Sequence, residues 1–277
     1  MREKRKWFVN ALLCYLLFLL LVTVLAPVLT PYDPLSIGLA KTLQPPTSVH
    51  LFGTDELGRD VLTRLLYGGR VSLTVGAAAM MMALVIGAGF GVVSGFLGGV
   101  VDRIMMRILD ALISIPSILL MIGIQVLIPA SLLSVVVIIG MTSWMPIARL
   151  IRTEILSLKG ETFIQASVVV GASSSQLLTR HLLPQCLPTI IVMSISGVSH
   201  AILSEATLSF LGIGIPPHEP SWGNMLMGAQ SYLLSGAWWI ALFPGLLITC
   251  TVLAVTYLGD VLQDRFALPQ LKKGGRS

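Results

Sequence analysis

The chain has 277 residues, of which 55% are hydrophobic and 11% are charged, and its net charge is +5 at pH 7. Its mean hydropathy is +0.88. About 25% of the residues in a soluble domain are charged, so this composition excludes an ordinary soluble protein and indicates that lipid solvates much of the surface.

Six apolar segments are each long enough to cross a bilayer, which takes about 20 apolar residues. The first, residues 7–29, follows a basic start, and we interpret it as a retained signal anchor because it is too long for the apolar part of a cleaved signal peptide. The other spans are predicted at 71–99, 108–128, 131–150, 187–212 and 238–259. The sequence therefore predicts an all-α, multi-pass membrane protein.

The segment between the first two predicted spans, residues 31–70, is rich in proline and charge and is predicted to lie in water. The positions of the other lysines and arginines indicate on which side of the membrane this segment lies. Of the 18 in the chain, 14 fall in 1–6, 100–107, 149–186 and 260–277. Basic residues are concentrated on the cytoplasmic side of membrane proteins. This predicts cytoplasmic termini and an extracytoplasmic 31–70, and it explains the net charge without a nucleic-acid partner.

Small residues recur at a fixed spacing in the second predicted span. These glycines stand every four residues, at Gly87, Gly91, Gly95 and Gly99. They share one helix face and allow a neighbouring helix to approach closely. The contact is either a static packing face or a seam that slides during transport.

Prolines and one acidic residue interrupt the later spans. Pro116, Pro129 and Pro146 lie in or beside the third and fourth spans and indicate kinks, which either mark gates or are packing irregularities. Glu205 lies well inside the fifth span, where a charge is costly. It either lines a water-filled translocation path or is a hydrogen-bonded structural residue.

Residues 149–186, between the fourth and fifth spans, are too polar to cross a membrane. Their pattern from 155 to 178 is amphipathic, and Gly171 interrupts it. The apolar side comprises Phe163, Ala166 and Val170, and the polar positions include Glu161, Gln165 and Ser173. Such a helix either docks into a groove of a soluble partner or rests on the lipid surface.

The sequence offers no recognisable catalytic or metal-binding motif. It has no phosphate-binding P-loop, no His-Glu-x-x-His and no Gly-x-Ser-x-Gly. Cys14, Cys186 and Cys250 lack metal-ligand spacing, and we interpret them as reduced, buried small side chains. The histidines are scattered, and His200, inside a predicted span, is either structural or a ligand. The sequence therefore offers no candidate catalytic site that would support an enzymatic function.

The segment after the fourth span resembles the signature of the permeases of binding-protein-dependent ABC importers. That signature reads Glu-Ala-Ala, three residues, Gly, nine residues and Ile-x-Leu-Pro. The spacing here is the same, but Gln165, Ser167 and His181 replace the usual Glu, Ala and Ile. The resemblance implies that residues near 161–184 form a coupling helix in a groove of an ATPase subunit. The residues to which it assigns this role are Gln165, Ala166, Ser167, Gly171, His181, Leu183 and Pro184.

Two further blocks narrow the resemblance to the C-type subunit of the dipeptide, oligopeptide and nickel branch. Residues 53–73 look like the block after the first span of those permeases, and 209–223 look like the block before their last span. Residues 258–264 also fit, although the usual Asp-Pro near the end is absent.

The resemblance implies a type I importer transmembrane domain, as in MetI, in a bacterial inner membrane. Its expected boundaries are 1–30 for the signal anchor, 31–70 for the extracytoplasmic segment, 71–262 for the transmembrane domain and 263–277 for a cytoplasmic tail. The implied partners are a second permease, two ATPase subunits and an extracytoplasmic solute-binding protein. ATP and Mg²⁺ are expected on the ATPase subunits, with no cofactor on this chain.

The expected activity is ATP-driven uptake of di- or oligopeptides, with nickel or another metal chelate as the alternative. A secondary transporter is the alternative from a different class, but such proteins are expected to show inverted repeats or several intramembrane charges. Only Glu205 is clearly placed at membrane depth.

Overall fold

The computed structural model describes residues 2–274, with side chains from 5 to 265, and this part of the chain is mostly helical. The helices in chain order are α1 (Arg2–Val24), α2 (Ala26–Leu29), α3 (Val61–Leu97), α4 (Gly99–Ile113), α5 (Ser117–Gln125), α6 (Leu132–Lys159), α7 (Thr162–Val169), α8 (Ser174–Gln176), α9 (Leu183–Phe210), α10 (Trp222–Leu226), α11 (Ala229–Leu233) and α12 (Trp239–Gly274). A 3₁₀ turn at Leu39–Lys41 and a π-helical segment at Leu177–Leu182 complete the described elements.

Five of the helical stretches are long and apolar enough to cross a membrane: 5–24, 61–97, 132–159, 174–210 and 239–265. A sixth crossing is obtained if α4 and α5, which meet at an angle of 79°, count as one broken span. The prediction of about six spans is therefore confirmed. The continuous third span predicted at 108–128 is wrong, because Pro116, whose backbone is extended at φ −53°, ψ 127°, stands between the two helices.

The second span begins at Val61, ten residues before the predicted start at 71, because Asp60 caps the helix. One carboxylate oxygen of Asp60 accepts hydrogen bonds from the backbone N–H and the hydroxyl of Thr63, both at 2.8 Å. The other carboxylate oxygen lies 3.0 Å from Nδ1 of His50. A capping carboxylate satisfies amides that a helix start leaves free, so the predicted aqueous segment ends in helix.

The glycine face of α3 packs against α6, as the spacing predicts. A Cβ atom added at Gly87 would lie 2.7 Å from the carbonyl oxygen of Trp144, and one added at Gly91 would lie 2.5 Å from that of Ala148. Gly95 makes the same kind of approach one turn later. Gly99 does not take part, because it lies beyond the end of α3 with φ at +57° and has open space around it.

Contacts distant in sequence hold the ends of the long helices together. At one end of the bundle, Nζ of Lys159 on α6 donates to the carbonyl oxygen of Phe96 on α3, 2.9 Å away. At the other, the indole N–H of Trp239 on α12 donates to the carbonyl oxygen of Thr54, 3.1 Å away. The segment before α3 is therefore packed onto the helix bundle.

The three cysteines are free thiols, as predicted. Only Cys186 is buried, and the prediction that Cys14 and Cys250 are buried is wrong. Cys14 on α1 and Cys250 on α12 occupy outward-facing positions of these long helices. The predicted tail from 263 is helical as far as Gly274, where α12 ends, and its last residues lie outside the described part of the chain.

Candidate coupling site and buried polar cluster

The segment between α6 and α9 is a compact helical turn anchored by apolar side chains. Ile164 is the buried residue of α7, with 3% of its surface exposed, and it packs in one cluster with Ile155 of α6 and Leu182 of the π-helical segment. Leu182 is completely buried. These contacts hold α7 against the end of α6 and against the π-helical segment that leads into α9.

Gly171 makes the turn that ends α7. Its φ is +89°, a conformation that side-chain-bearing residues rarely adopt. The amide of Gly171 donates to the carbonyl oxygen of Val168, and that of Ala172 donates to Ser167, both at 3.0 Å. A Cβ at Gly171 would meet no atom within 4 Å. The turn therefore requires glycine for its backbone conformation and not for space.

Residues from both sides of this turn line one open depression of about 470 Å³. Ala166, Ser167, Gly171 and His181, four of the seven residues assigned to coupling, lie on its wall. Gln165 instead points back to α6, where its amide N–H donates to the carbonyl oxygen of Gly160 at 3.2 Å. The Gln that replaces the usual Glu therefore holds the start of α7.

The two remaining predicted residues open the next span. Leu183 is the first residue of α9 and is partly buried, and Pro184 follows it with an exposed side chain. Proline is well tolerated in the first turn of a helix, where its missing N–H would have no partner. These two residues shape the exit from the segment and do not line the depression.

The apolar side predicted for this segment faces outward. Phe163 and Val170 are both exposed, and Val168 and Val169 join them; Val169 and Val170 are 87% and 89% exposed. Sequence reasoning missed Ile164, Val168 and Val169. Three consecutive valines in a short polar connection were the available signal. A protruding apolar tip on a rigid turn is suited to insertion into a partner's groove.

Glu205 on α9 has no exposed surface. Its two carboxylate oxygens accept hydrogen bonds from the hydroxyls of Ser72 on α3 and Ser209 on α9, both at 2.8 Å. Ser72 also accepts a hydrogen bond from the backbone N–H of Trp222, and Ser209 accepts one from Ile215. A buried charge or hydroxyl needs such partners.

This cluster joins α3, α9 and the start of α10 into one hydrogen-bonded unit. The alternative of a structural, hydrogen-bonded Glu205 matches this geometry. The alternative that Glu205 lines an aqueous path does not, because the side chain is enclosed by its own chain. The sequence signal, an acid within an apolar span, located a polar site but not its role.

Comparison with known proteins agrees with these features. Residues 87–268 match the family described as "Binding-protein-dependent transport system inner membrane component". The dipeptide transport system permease protein DppC of Bacillus subtilis (strain 168) is 39% identical over 272 residues, which cover 98% of this chain and 85% of that protein. The chain belongs to this family. It is thus a multi-pass membrane permease of the ABC importer class.

Other relatives extend the likeness. The oligopeptide transport system permease protein OppC of the same organism is 37% identical over 261 residues, covering 94% of this chain and 85% of that protein. The fold resembles a solved structure of the MetNI methionine ABC transporter in inward-facing conformations, with a TM-score of 0.57 and 19% identity over 71% of this chain and 94% of that one. The predicted MetI-like transmembrane fold is confirmed.

Proposed function

We propose that this permease is one of two membrane subunits of an ATP-driven importer of di- and oligopeptides. The peptide-transport names of its relatives favour peptides over nickel chelates, and its membership of the importer family disfavours a secondary transporter. The partners proposed are a homologous permease, two ATPase subunits that bind ATP and Mg²⁺, and an extracytoplasmic solute-binding protein. This chain itself binds no cofactor in the proposed mechanism.

The observation that carries the coupling role is the exposed apolar tip at Val168, Val169 and Val170 on a turn anchored by Ile164. In the proposed complex this tip and the depression beside Gly171 lie against an ATPase subunit in the cytoplasm. Closure of the ATPase dimer on ATP moves α7, and α6 and α9 follow because Ile164 packs with Ile155 of α6 and with Leu182 of the π-helical segment that continues into α9. ATP drives the change only if it binds more tightly to one orientation of the spans.

Two matched substitutions test the coupling role. Val169→Asp introduces a charge at a position 87% exposed, so the fold of the chain should persist. We expect a tagged Val169→Asp permease to reach normal membrane yield but to lose most of its co-purifying ATPase, at least 10-fold. The control, Val49→Asp, alters an exposed valine in the predicted extracytoplasmic segment and should retain the ATPase.

Uptake of a labelled dipeptide by cells that lack the native gene tests the substrate. Wild-type permease should restore uptake, ATP depletion should abolish it, and Val169→Asp should fail to restore it. Retention of the ATPase by Val169→Asp would contradict the coupling role. Peptide uptake that survives ATP depletion and collapses with the proton gradient would contradict the importer itself.

A further inference from the structure

Three polar side chains, each from a different helix, meet at the end of the bundle that carries α7. Arg152 on α6 donates to both carboxylate oxygens of Asp102 on α4, and its Nε lies 2.9 Å from Oδ1. The hydroxyl of Ser94 on α3 donates to that same Oδ1. We call Ser94, Asp102 and Arg152 the three-helix clamp. Two parallel hydrogen bonds between a guanidinium and a carboxylate fix direction as well as distance, so the clamp orients α4 relative to α6.

The clamp is more enclosed than the other ion pair that joins the same two helices. The side chain of Asp102 is 11% exposed and that of Arg152 is 29% exposed, and Ser94 is buried. Arg149 on α6 also pairs with Asp110 on α4, but these side chains are 49% and 57% exposed. An exposed ion pair contributes little, because water and salt screen it. Of the two pairs, the clamp is therefore the stronger link between α4 and α6.

The rest of α4 is loosely held. Of its 15 residues, two are buried, Asp102 and Leu109. It joins α3 through Gly98 and Gly99, whose φ values are +66° and +57°, and a Cβ at either glycine would meet no atom within 4 Å. Because glycine adopts many backbone conformations at little cost, this turn does not fix the direction of α4. The clamp and Leu109 therefore determine where α4 points.

On α6, the clamp lies close to the contacts that hold α7. Arg152 stands three residues before Ile155, which shares an apolar cluster with Ile164 of α7, and residues three apart are neighbours on a helix surface. The backbone of Arg152 also lies against the glycine face of α3. A Cβ at Gly91 would lie 3.1 Å from its nitrogen, and one at Gly95 would lie 3.0 Å from its oxygen. Arg152 thus contacts α3 with its backbone and α4 with its side chain.

At its far end, α4 leads into the break in the third span. It ends at Ile113, and α5 begins at Ser117 at an angle of 79° to it. Pro116, between them, has no amide hydrogen, so no helical hydrogen bond from this residue holds the bend. A change in the direction of α4 therefore changes the bend of the third span.

We propose that the three-helix clamp carries movement from α6 to α4 during transport, so that a displacement of α7 changes the bend of the third span. Arg152 and Asp102 are positioning residues in this scheme and contact neither solute nor ATP. The inference rests on the proposed function and adds the route from α7 to the third span. A static brace is the alternative, and its loss would weaken assembly and every activity together.

The ratio of dipeptide uptake to ATP hydrolysis tests the proposal. Arg152→Gln removes the guanidinium, and Asp102→Asn removes the carboxylate charge while keeping the shape of the side chain. Arg149→Gln breaks the exposed pair and is the matched control. Each variant is assembled with its partner subunits in proteoliposomes that are supplied with the solute-binding protein and dipeptide. The melting temperature of each purified complex reports its folding.

We expect Arg152→Gln and Asp102→Asn to assemble in normal yield, to melt as the parent does and to keep most of the ATPase activity. Their uptake per ATP should fall by about 10-fold, a size typical of coupling between sites. Arg149→Gln should keep the parental ratio. Arg152→Lys retains the charge but not the two parallel donors, so its ratio should lie between those of the parent and Arg152→Gln.

An unchanged ratio in both clamp variants would overturn the proposal, and so would an equal loss in Arg149→Gln. Uptake and ATP hydrolysis that fall together in both variants, or failure of both to assemble, would show a static brace. If one clamp variant fails to assemble, the other decides. All these results leave the proposed function intact, whereas a parent complex that hydrolyses ATP but transports no peptide would overturn both.

Discussion

At the scale of single residues, Glu205 links α3 and α9 through a hydrogen bond. It lies on α9, and Ser72, which donates to it, lies on α3, 133 positions away in sequence. Ser72 also accepts from the backbone of Trp222, whose indole N–H donates to the carbonyl oxygen of Leu65 at 2.9 Å. One acidic side chain therefore takes part in hydrogen bonds that join three helices, and we expect its role to be structural.

Replacing Glu205 tests that role. Glu205→Gln keeps an acceptor and a donor within reach of both serines, whereas Glu205→Leu leaves the hydroxyls of Ser72 and Ser209 without their acceptor. An unsatisfied buried hydroxyl costs about 1–3 kcal/mol. We expect Glu205→Leu to lower the melting temperature of the purified permease in detergent clearly more than Glu205→Gln does. Unchanged melting of both variants with a loss of uptake would favour a path-lining role instead.

At the scale of elements, the contact of α3 with α6 depends on a row of glycines. A Cβ at Gly91 would meet the backbone of α6, whereas one at Gly89, on the same helix, would meet nothing within 4 Å. Alanine otherwise favours a helix interior over glycine by about 1 kcal/mol. Alanine at Gly89 therefore tests helix propensity alone, whereas alanine at Gly91 also tests the packing of α3 against α6.

Gly91→Ala should destabilise the permease, because the methyl group forces α3 away from α6, while Gly89→Ala should be neutral or slightly stabilising. The measurement is the melting temperature of the two variants beside the wild type in one detergent. Equal behaviour of the two would show that the helices separate without cost, and that the glycine face is a sliding seam and not a packed one.

Features of an element that depend on nearby residues could be predicted from the sequence, whereas features that depend on contacts between distant residues could not. The glycine face of α3 and the turn at Gly171 were readable, because spacing and a single glycine encode them locally. The bend between α4 and α5 was predicted only in part. Pro116 indicated a kink, but the angle of the kink depends on the neighbouring helices. The inward position of Ile164 was not readable, because its contacts with Ile155 and Leu182 arise only when three elements meet.

At the scale of the whole molecule, the contacts sort the chain into two ends. Thr23, near the end of α1, lies against Gly69 near the start of α3, so α1 starts at the end of the bundle where α3 finishes. An ion pair between Arg5 and Asp264 brings the last turns of α12 to that same end. The apolar tip at Val169 follows α6, whose last residue also contacts the end of α3. Both described termini and the tip thus share one end.

That shared end is predicted to be cytoplasmic by its excess of basic residues, and labelling from outside the cell tests the whole arrangement. Ser36 and Ser175 are both exposed serines, one in the segment before α3 and one beside the tip. In a parent without Cys14 and Cys250, an impermeant thiol reagent should label Ser36→Cys in intact cells and Ser175→Cys only after permeabilisation. Because the two residues lie at opposite ends of one packed bundle, only one of the two cysteines should be labelled in intact cells. Labelling of Ser175→Cys in intact cells would show that the protein has the opposite orientation. The tip would then lie outside the cell, where it could not contact a cytoplasmic ATPase.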